Sequence, residues 1–331
     1  MSCGETRLTG EEKTQPKNRR LFLGIDTSNY TTSAALADGE GNIVRQEKIP
    51  LPVGKGEGGL RQSDAVFAHV RALPEVIGRL RDELDGGTLA AVGCSSAPRD
   101  AEGSYMPCFL SGKAAAAAAA AAAGVPLFCF SHQAGHLAAA RYGSGSEEKL
   151  DGKKYLALHV SGGTTDMMTV SEEGRIDPIG TSLDLHAGQA IDRVGLMLGL
   201  AFPCGPALEA LAADVGCPRP KISVVGTDCN LSGVENICRR MLDGGSEPAA
   251  VAAYAIETVK LTLGGMIEAA FEKYGPLPVL FAGGVMSNKR VRPYLSGLCA
   301  EGAYFAPAEF SSDNAAGIAL LTAKKWKNQR R

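Results

Sequence analysis

The alternation of apolar and polar residues predicts that the chain opens with three β-strands. An apolar run begins at Leu21 and enters a loop rich in Thr, Ser and Asn. Residues 33–37 and 43–49 are further apolar stretches separated by a Gly-rich turn, which is typical of strands joined by tight connections. After a loop rich in Gly and Pro, apolar residues recur at helical spacing from 63 to about 84. One face of this helix is formed by Val66, Val70, Leu73, Ile77 and Leu80.

The segment that opens the chain has a second copy further on. Residues 23–43 align without a gap with residues 156–176, and seven of the 21 positions are identical. Both copies read as strand, small polar loop, strand, tight turn and strand. The sequence therefore predicts two similar lobes, each opening with a β-meander, with a ligand cleft between their loops.

The remaining elements are predicted from apolar runs and from helix-stop signals. An alanine-rich helix over 112–123 should end at Gly124, because glycine favours the left-handed conformation that terminates helices. The other expected elements are strands at 89–94 and 279–282, and helices at 188–200, 207–213, 248–274 and 314–326.

Composition narrows the class of protein. The 331 residues are 45% hydrophobic and 21% charged, which excludes collagen, coiled coil and complete disorder. The net charge of −2 excludes a surface that is basic throughout, so a contact with RNA must be a local patch. Nine cysteines without a CxxC pair indicate reduced thiols in a cytoplasmic protein. Residues 1–20 are expected to be a disordered tail without a signal peptide, and no stretch is expected to span a membrane.

Two histidines in the run HQAGH have the spacing of metal ligands. His132 and His136 lie four residues apart, so on a helix their imidazoles would share one face. A zinc protease would need Glu after the first histidine, and Gln133 stands there, so proteolysis is disfavoured. Two core histidines are the alternative interpretation. Asp313, before the last helix, fits either a third ligand or a helix N-cap.

A glycine pair in the second lobe predicts a phosphate site. The run from Val160 to Thr165 contains Ser161, Gly162 and Gly163 between two strands. Glycines let backbone N–H groups approach an anion closely, and the hydroxyl adds a donor. A tight hairpin turn without a ligand is the alternative interpretation. Gly283 and Gly284 after an apolar strand give a similar but weaker signal.

Taken together, the motifs resemble one family. The segments LGIDTS, HQAGH, LALHVSGGTT, SLDLHAGQAIDRVGLMLGLAFPCGP, LFAGGVMSNKRVR and FSSDNAAGIA occur in the order of the TsaD family, formerly called glycoproteases, across roughly residues 21–322. The resemblance implies an α/β, two-lobed, duplicated fold of the ASKHA superfamily of actin, Hsp70 and sugar kinases, with an interlobe cleft. The implied lobes are 21–130 and 131–313, and residues 314–331 would form a closing helix and basic tail that pack on the first lobe.

The resemblance also implies an activity and its site. Members transfer the threonylcarbamoyl group from threonylcarbamoyl-AMP to the N(6) amine of the tRNA adenosine next to the anticodon. By position, the ligands of one iron or zinc ion are His132, His136 and Asp313. The implied contacts to ATP or an adenylate are His159, Val160, Ser161, Gly162, Gly163, Asp192, Gly205 and Asn288. His159 could instead be a further metal ligand or a satisfied strand histidine. Catalytic roles fall to Asp26 and Ser161.

Several positions depart from the family pattern. The first loop usually carries Cys-Asp-Glu-Thr and here reads Asn29-Tyr30-Thr31-Thr32, so a carboxylate pair is missing. A Gly-Pro-Gly segment before the alanine helix is replaced by residues 97–100. The expected partners are tRNA, TsaB- and TsaE-like proteins, and a synthase that supplies threonylcarbamoyl-AMP. The alternatives are a diverged paralogue with another carbamoyl acceptor and a non-catalytic partner in the tRNA-modifying complex.

Overall fold

The computed structural model describes residues 19–28, 30–52, 60–311 and 314–330, which form twelve β-strands and twelve α-helices. The strands are β1 Arg19–Ser28, β2 Thr31–Asp38, β3 Ile43–Pro50, β4 Gly87–Ala97, β5 Leu127–Ser131, β6 Tyr155–Val160, β7 Thr165–Val170, β8 Ile176–Thr181, β9 Ser223–Val225, β10 Asp228–Asn230, β11 Val279–Ala282 and β12 Ala303–Phe305. The helices are α1 Gln62–Gly78, α2 Arg81–Asp85, α3 Phe109–Ala123, α4 His132–Gly143, α5 Glu147–Leu150, α6 Ala187–Met197, α7 Gly205–Leu211, α8 Gly233–Asp243, α9 Pro248–Tyr274, α10 Val291–Leu298, α11 Ala308–Ser311 and α12 Ala316–Asn328.

The two large sheets share one topology. Their strand orders are β3-β2-β1-β4-β5 and β8-β7-β6-β11-β12. In each sheet the first three strands form an antiparallel meander, and two later strands are added in parallel beside the first strand of that meander. The duplicated α/β fold expected from the sequence repeat is therefore confirmed.

The first sheet is covered by helices on both faces. Alternate residues of β1 point to opposite sides, so Leu21, Leu23 and Ile25 pack toward α1 and α3 while Phe22 packs toward α12. All four side chains are at most 2% exposed. A strand buried on both faces has a continuous hydrophobic run, as β1 has from Leu21 to Leu23.

Helix α9 is the central helix of the second lobe. By length and composition it could cross a membrane, but 72% of its most apolar window is buried in the fold. Its apolar side chains share one core with residues of α6, α7, α8 and α10 and with the second sheet. The burial explains why this helix is apolar around most of its circumference.

Helices α4 and α12 cross where the two sheets meet. Helix α12 packs on β1, β2 and β4, while Leu137 and Ala140 of α4 pack with residues of β6, β7 and β11. At the crossing, a Cβ atom on Gly317 would overlap the carbonyl oxygen of Gly135. The backbones approach this closely only because Gly317 lacks a side chain.

Most of the expected elements are present, with shifted ends. The helix expected over 63–84 is two helices, α1 and α2, and Val70 on its proposed buried face is 56% exposed. Strand β1 begins at Arg19, two residues before the expected start, and α3 begins at Phe109 but does end before Gly124, which has φ 66°. Residues 1–18, including most of the proposed tail, lie outside the described residues. The proposed lobe boundaries at 130 and 313 stay predictions.

The close approach of α4 and α12 predicts that alanine at position 317 destabilises the protein, although alanine usually stabilises a helix. Gly317→Ala should lower the free energy of unfolding by about 1–3 kcal/mol, because the added methyl forces α12 away from α4. Gly297→Ala is the matched control, since a Cβ atom there contacts nothing within 4 Å and alanine favours helix by up to ~1 kcal/mol. Urea denaturation measures both variants. Equal stability of the two variants would contradict the close crossing.

Candidate active site between the two sheets

Helix α4 presents the two histidines of the HQAGH run on one face. It follows β5 directly, and the Ser131 hydroxyl accepts a 3.0 Å hydrogen bond from the N–H of Ala134, which caps the helix. His132 is the first helical residue and His136 lies one turn later, with ring centroids 4.3 Å apart. The four-residue spacing therefore places both imidazoles together, as predicted.

A buried carboxylate from the first sheet contacts the first of these histidines. Asp26 lies near the end of β1 with its side chain 0% exposed. Its Oδ1 is 2.9 Å from Nδ1 of His132. Within the described residues, Oδ2 has no hydrogen-bond partner. A carboxylate on one imidazole nitrogen fixes the ring orientation and leaves Nε2 to face the site.

A third imidazole comes from the second sheet. His159, on β6, is 9% exposed and its ring centroid is 4.8 Å from that of His136. His159 aligns with Asp26 in the sequence repeat. Equivalent positions of the two duplicated sheets therefore contact the two histidines of the same helix α4.

The side chains around α4 can be compared with the ligands that a metal ion requires. Among the described residues, no group of three or more His, Cys, Asp or Glu side chains is placed to hold an ion. The third proposed ligand, Asp313, lies outside the described residues. Neighbouring imidazoles with a carboxylate bonded to the first of them are nevertheless the chemistry of a histidine metal site. The described residues therefore supply two of the three proposed metal ligands, His132 and His136.

The glycine pair forms an open turn between β6 and β7. Ser161 N–H donates to the Thr164 carbonyl at 2.8 Å, and the Ser161 hydroxyl accepts from Gly163 N–H at 3.3 Å. Gly162 and Gly163 are exposed, and a Cβ atom on either would contact nothing within 4 Å. Gly188 N–H at the start of α6 donates to the Ser161 carbonyl at 3.2 Å. The turn is therefore accessible and lies at a helix N-terminus, which favours an anion.

Asp192 and Gly205 lie together at the proline corner. Oδ1 of Asp192, on α6, accepts a 2.8 Å hydrogen bond from Cys204 N–H, directly before Gly205 at the start of α7. Burial raises the pKa of the Asp192 carboxyl, and the Cys204 N–H opposes that shift. A Cβ atom on Gly205 would contact nothing within 4 Å, so the surface here is open.

Asn288 is largely occupied by the backbone around it. It is 8% exposed, and its Oδ1 accepts hydrogen bonds from Arg290 N–H at 2.9 Å and Val291 N–H at 3.1 Å, at the start of α10. Gly283, ahead of it, has φ 98°, and a Cβ atom there would overlap Val160. This loop therefore contacts the end of β6, beside the glycine turn.

Sequence reasoning missed an ion pair that joins the two lobes. Arg99, from the segment that departs from the family pattern, donates to Oδ2 of Asp166 at 2.6 Å, while the Thr181 hydroxyl donates to Oδ1 at 2.8 Å. Asp166 pairs in register with His159 on the neighbouring strand, so the ion pair lies beside the histidines. The signal available in the sequence was an arginine in a segment expected to be Gly-Pro-Gly.

The altered first loop is buried in its second half. Asn29 lies outside the described residues, Tyr30 is 44% exposed, and Thr31 and Thr32 are buried. The Thr32 hydroxyl is 2.8 Å from Nδ1 of His69 on α1. Burial lowers the pKa of His69, which favours the neutral ring.

Solved structures share the fold at low sequence identity. HypF of T. kodakarensis gives a TM-score of 0.60 at 12% identity, over 94% of this chain and 48% of that chain. Component A of the (R)-2-hydroxyglutaryl-CoA dehydratase of Acidaminococcus fermentans gives 0.55 at 16% identity, over 93% and 99%. These likenesses show the two-lobed ASKHA fold and nothing about the substrate.

Sequence relatives identify the family. The TsaD family model, described as tRNA N6-adenosine threonylcarbamoyltransferase, matches residues 52–320. Relatives of that name occur in Archaeoglobus fulgidus, 30% identical over 93% of this chain and 92% of the relative, and in Rhizobium johnstonii, 30% identical over 90% and 87%. With these matches and the histidines, glycine turn and duplicated sheets described above, the chain belongs to the TsaD family of transferases.

Proposed function

We propose that this protein transfers a threonylcarbamoyl group from threonylcarbamoyl-AMP to the N(6) amine of the tRNA adenosine next to the anticodon. The observation that carries the proposal is the contact of His132 and His136 on α4 with Asp26 from one sheet and His159 from the other. His159 belongs to this cluster, and the glycine turn reaches Gly162 only three positions later in the chain. The cluster and the turn are therefore close together. A bound adenylate in the turn would therefore present its acyl group close to the histidines.

The adenylate would bind on the second lobe. Exposed backbone at Gly162 and Gly163 gives phosphate close access, and the α6 N-terminus supplies a favourable dipole. The ribose and base would lie toward Asp192 and Gly205 at the proline corner and toward Asn288 at the start of α10. Ser161 orders the turn through its own hydrogen bond to Gly163.

One divalent iron or zinc ion would be held by His132, His136 and Asp313. When bound, it would supply a Lewis acid for the negative charge that develops on the acyl and phosphate oxygens. Asp26 would act through His132, holding its ring so that Nε2 faces the site. His159 would extend the polar lining from the second sheet.

The transfer requires the protein to hold the tRNA amine next to the carbamoyl carbon of the adenylate. The tRNA amine attacks the carbamoyl carbon, AMP leaves with the electrons of the broken C–O bond, and the amine gives up a proton. Holding the adenylate in the glycine turn against the cluster would supply most of the acceleration through orientation. Asp26 lies near the end of the strand that leads into the first loop, and its Oδ2 has no partner among the described residues, so it is the proposed proton acceptor.

The proposed reaction also implies partner proteins and a cellular compartment. We propose that TsaB- and TsaE-like proteins assist turnover, that a separate synthase supplies threonylcarbamoyl-AMP, and that the protein acts in the cytoplasm without a membrane. The net charge of −2 supports a need for partners or for a local RNA-binding patch.

A second candidate is a paralogue with a different carbamoyl acceptor. It is favoured by the first loop, where Tyr30 and Thr31 stand in place of two acids and Thr32 binds His69. Such a protein would keep the adenylate and metal sites and change only the group that attacks.

Metal content tests the ligand assignment. The purified protein should carry about one iron or zinc per chain, and His132→Ala with His136→Ala should remove it, because one carboxylate cannot hold the ion. His136→Ala alone preserves the contact of His132 with Asp26 and should also lose most of the metal. Elemental analysis measures the content, with His186→Ala as the control that retains it. Stoichiometric metal in the double variant would refute the assignment.

Adenylate binding tests the glycine turn. Gly162→Val should fold normally, because its side chain points into open space, but it should weaken AMP binding at least ~tenfold by occupying the path of the phosphate. Gly39→Val is the control, since that turn glycine is equally open and lies on the first lobe. Calorimetry measures the affinity. Unchanged affinity for AMP in the Gly162 variant would disprove the cradle.

Reconstitution tests the acceptor. With threonine, bicarbonate, ATP, tRNA and the usual partner proteins, mass spectrometry of tRNA nucleosides should show threonylcarbamoyladenosine. If the missing acids only position the amine, the reaction slows by about tenfold for each 1.4 kcal/mol of barrier and product still accumulates. No product, with metal and AMP still bound, would indicate the paralogue with another acceptor.

A further inference from the structure

Two basic stretches at opposite ends of the sequence meet in the fold. Arg20 lies at the start of β1, and the end of α12 carries Lys325, Trp326 and Lys327, followed by Arg330. The Cζ atoms of Arg20 and Arg330 lie 5.3 Å and 4.3 Å from the Trp326 ring centroid. We call these five residues the basic–aromatic patch. It is built from segments about 300 residues apart, which the transferase site does not use.

The cations of the patch are available to a ligand. The neighbouring Arg19 pairs with Asp38, and Lys324 pairs with Asp151. In contrast, none of the four patch cations takes part in an ion pair with a described residue. Lys325 instead lies 5.5 Å from the rings of Phe128 and Phe130. The patch therefore keeps an excess of positive charge.

The patch is anchored and borders a groove. The Trp326 ring packs edge-on against Phe22 of the core, with centroids 5.4 Å apart. A groove of about 420 Å³ runs beside it, bordered by Arg20, Arg330, Thr88 and Gly124. Because both guanidinium groups lie against an anchored indole, less side-chain freedom is lost when they bind an anion.

The patch lies at the opposite end of β1 from the active site. Asp26 lies six positions after Arg20 along the strand, which is about 20 Å at 3.3 Å per residue. Along a stacked nucleic-acid strand that distance corresponds to about six nucleotides at ~3.4 Å each. The stem of an RNA whose loop enters the cleft would reach this far.

We propose that the basic–aromatic patch binds the sugar–phosphate backbone of the substrate tRNA, with Trp326 adding a stacking surface. The proposal rests on tRNA being the acceptor. A chain with a net charge of −2 needs a local patch to attract RNA. Arginines that form no ion pair with a described residue and lie beside an aromatic ring match phosphates and exposed bases better than they match a neutral protein surface.

The test uses the full chain and a tRNA transcript, with fluorescence anisotropy over a salt titration. Arg20→Gln with Arg330→Gln should weaken binding at least ~tenfold at ~0.1 M salt and lower the slope of log K against log salt by about 1.5, since two phosphate contacts are lost. The matched control is Arg175→Gln with Arg239→Gln. These two arginines are 76% and 58% exposed elsewhere on the protein, and their loss should leave binding unchanged.

A third variant separates stacking from charge. Trp326→Leu should weaken tRNA binding while leaving the salt slope unchanged, because no cation is removed. Thermal melting checks that α12 remains packed. If the leucine variant unfolds, the arginine variant still decides the proposal, since its exposed side chains can be changed without touching the core.

Turnover distinguishes this surface from the catalytic site. The arginine variant should raise the KM for tRNA at least ~tenfold, with kcat and AMP affinity unchanged. Normal tRNA affinity and KM in that variant would overturn the patch and leave the proposed function intact. Lost association with a protein partner, at normal RNA affinity, would also overturn it and assign the patch to protein. No tRNA binding by the unaltered protein, with AMP still bound, would overturn the acceptor as well.

Discussion

The position of the two lobes depends on the crossing of α4 and α12 through Gly135 and Gly317. Helix α12 lies on the first sheet, while α4 continues from β5 of that sheet and packs Leu137 and Ala140 on the second, so their crossing lies between the two sheets. A side chain on Gly317 would push them apart. The first two turns of α4 carry both site histidines, and α12 begins at Ala316, two residues after Asn314. Close helix packing at this point therefore determines how far the imidazoles lie from the rest of the site.

The contact between Asp26 and His132 also joins two of the elements that form the site. A carboxylate with no exposed surface is costly unless an N–H donor satisfies it, and His132 at 2.9 Å provides one. The bond joins the end of β1 to the start of α4. Because His159 occupies the equivalent position in the duplicated sheet, the fold brings two copies of one backbone position to the same helix with different side chains. The duplicated sheets therefore supply different groups to the site, a carboxylate from Asp26 in the first sheet and an imidazole from His159 in the second.

The sequence predicted the parts of this protein that depend on local pattern. The repeat, the common face that His132 and His136 would share on a helix, and the stop at Gly124 follow from spacing and backbone preference, which neighbouring residues determine. The exposed Val70 could not be foreseen, because periodicity marks an apolar face without showing how much of it the sheet covers. Arg99 and Asp166 are 67 residues apart, and only the closure of the two lobes joins them. The roles proposed for Asp192, Gly205 and Asn288 stay predictions.

The altered first loop removes negative charge from the site. An acid at the buried position 31 would need a cation or several N–H donors, whereas position 30 is 44% exposed to solvent. Thr31 removes that requirement, and the buried Thr32 is satisfied by His69. Of the buried carboxylates described in the cleft, Asp166 has both oxygens bonded, by Arg99 and Thr181, whereas Asp26 keeps one oxygen without a partner among the described residues. The remaining capacity to accept a proton or a hydrogen bond is therefore concentrated on Asp26.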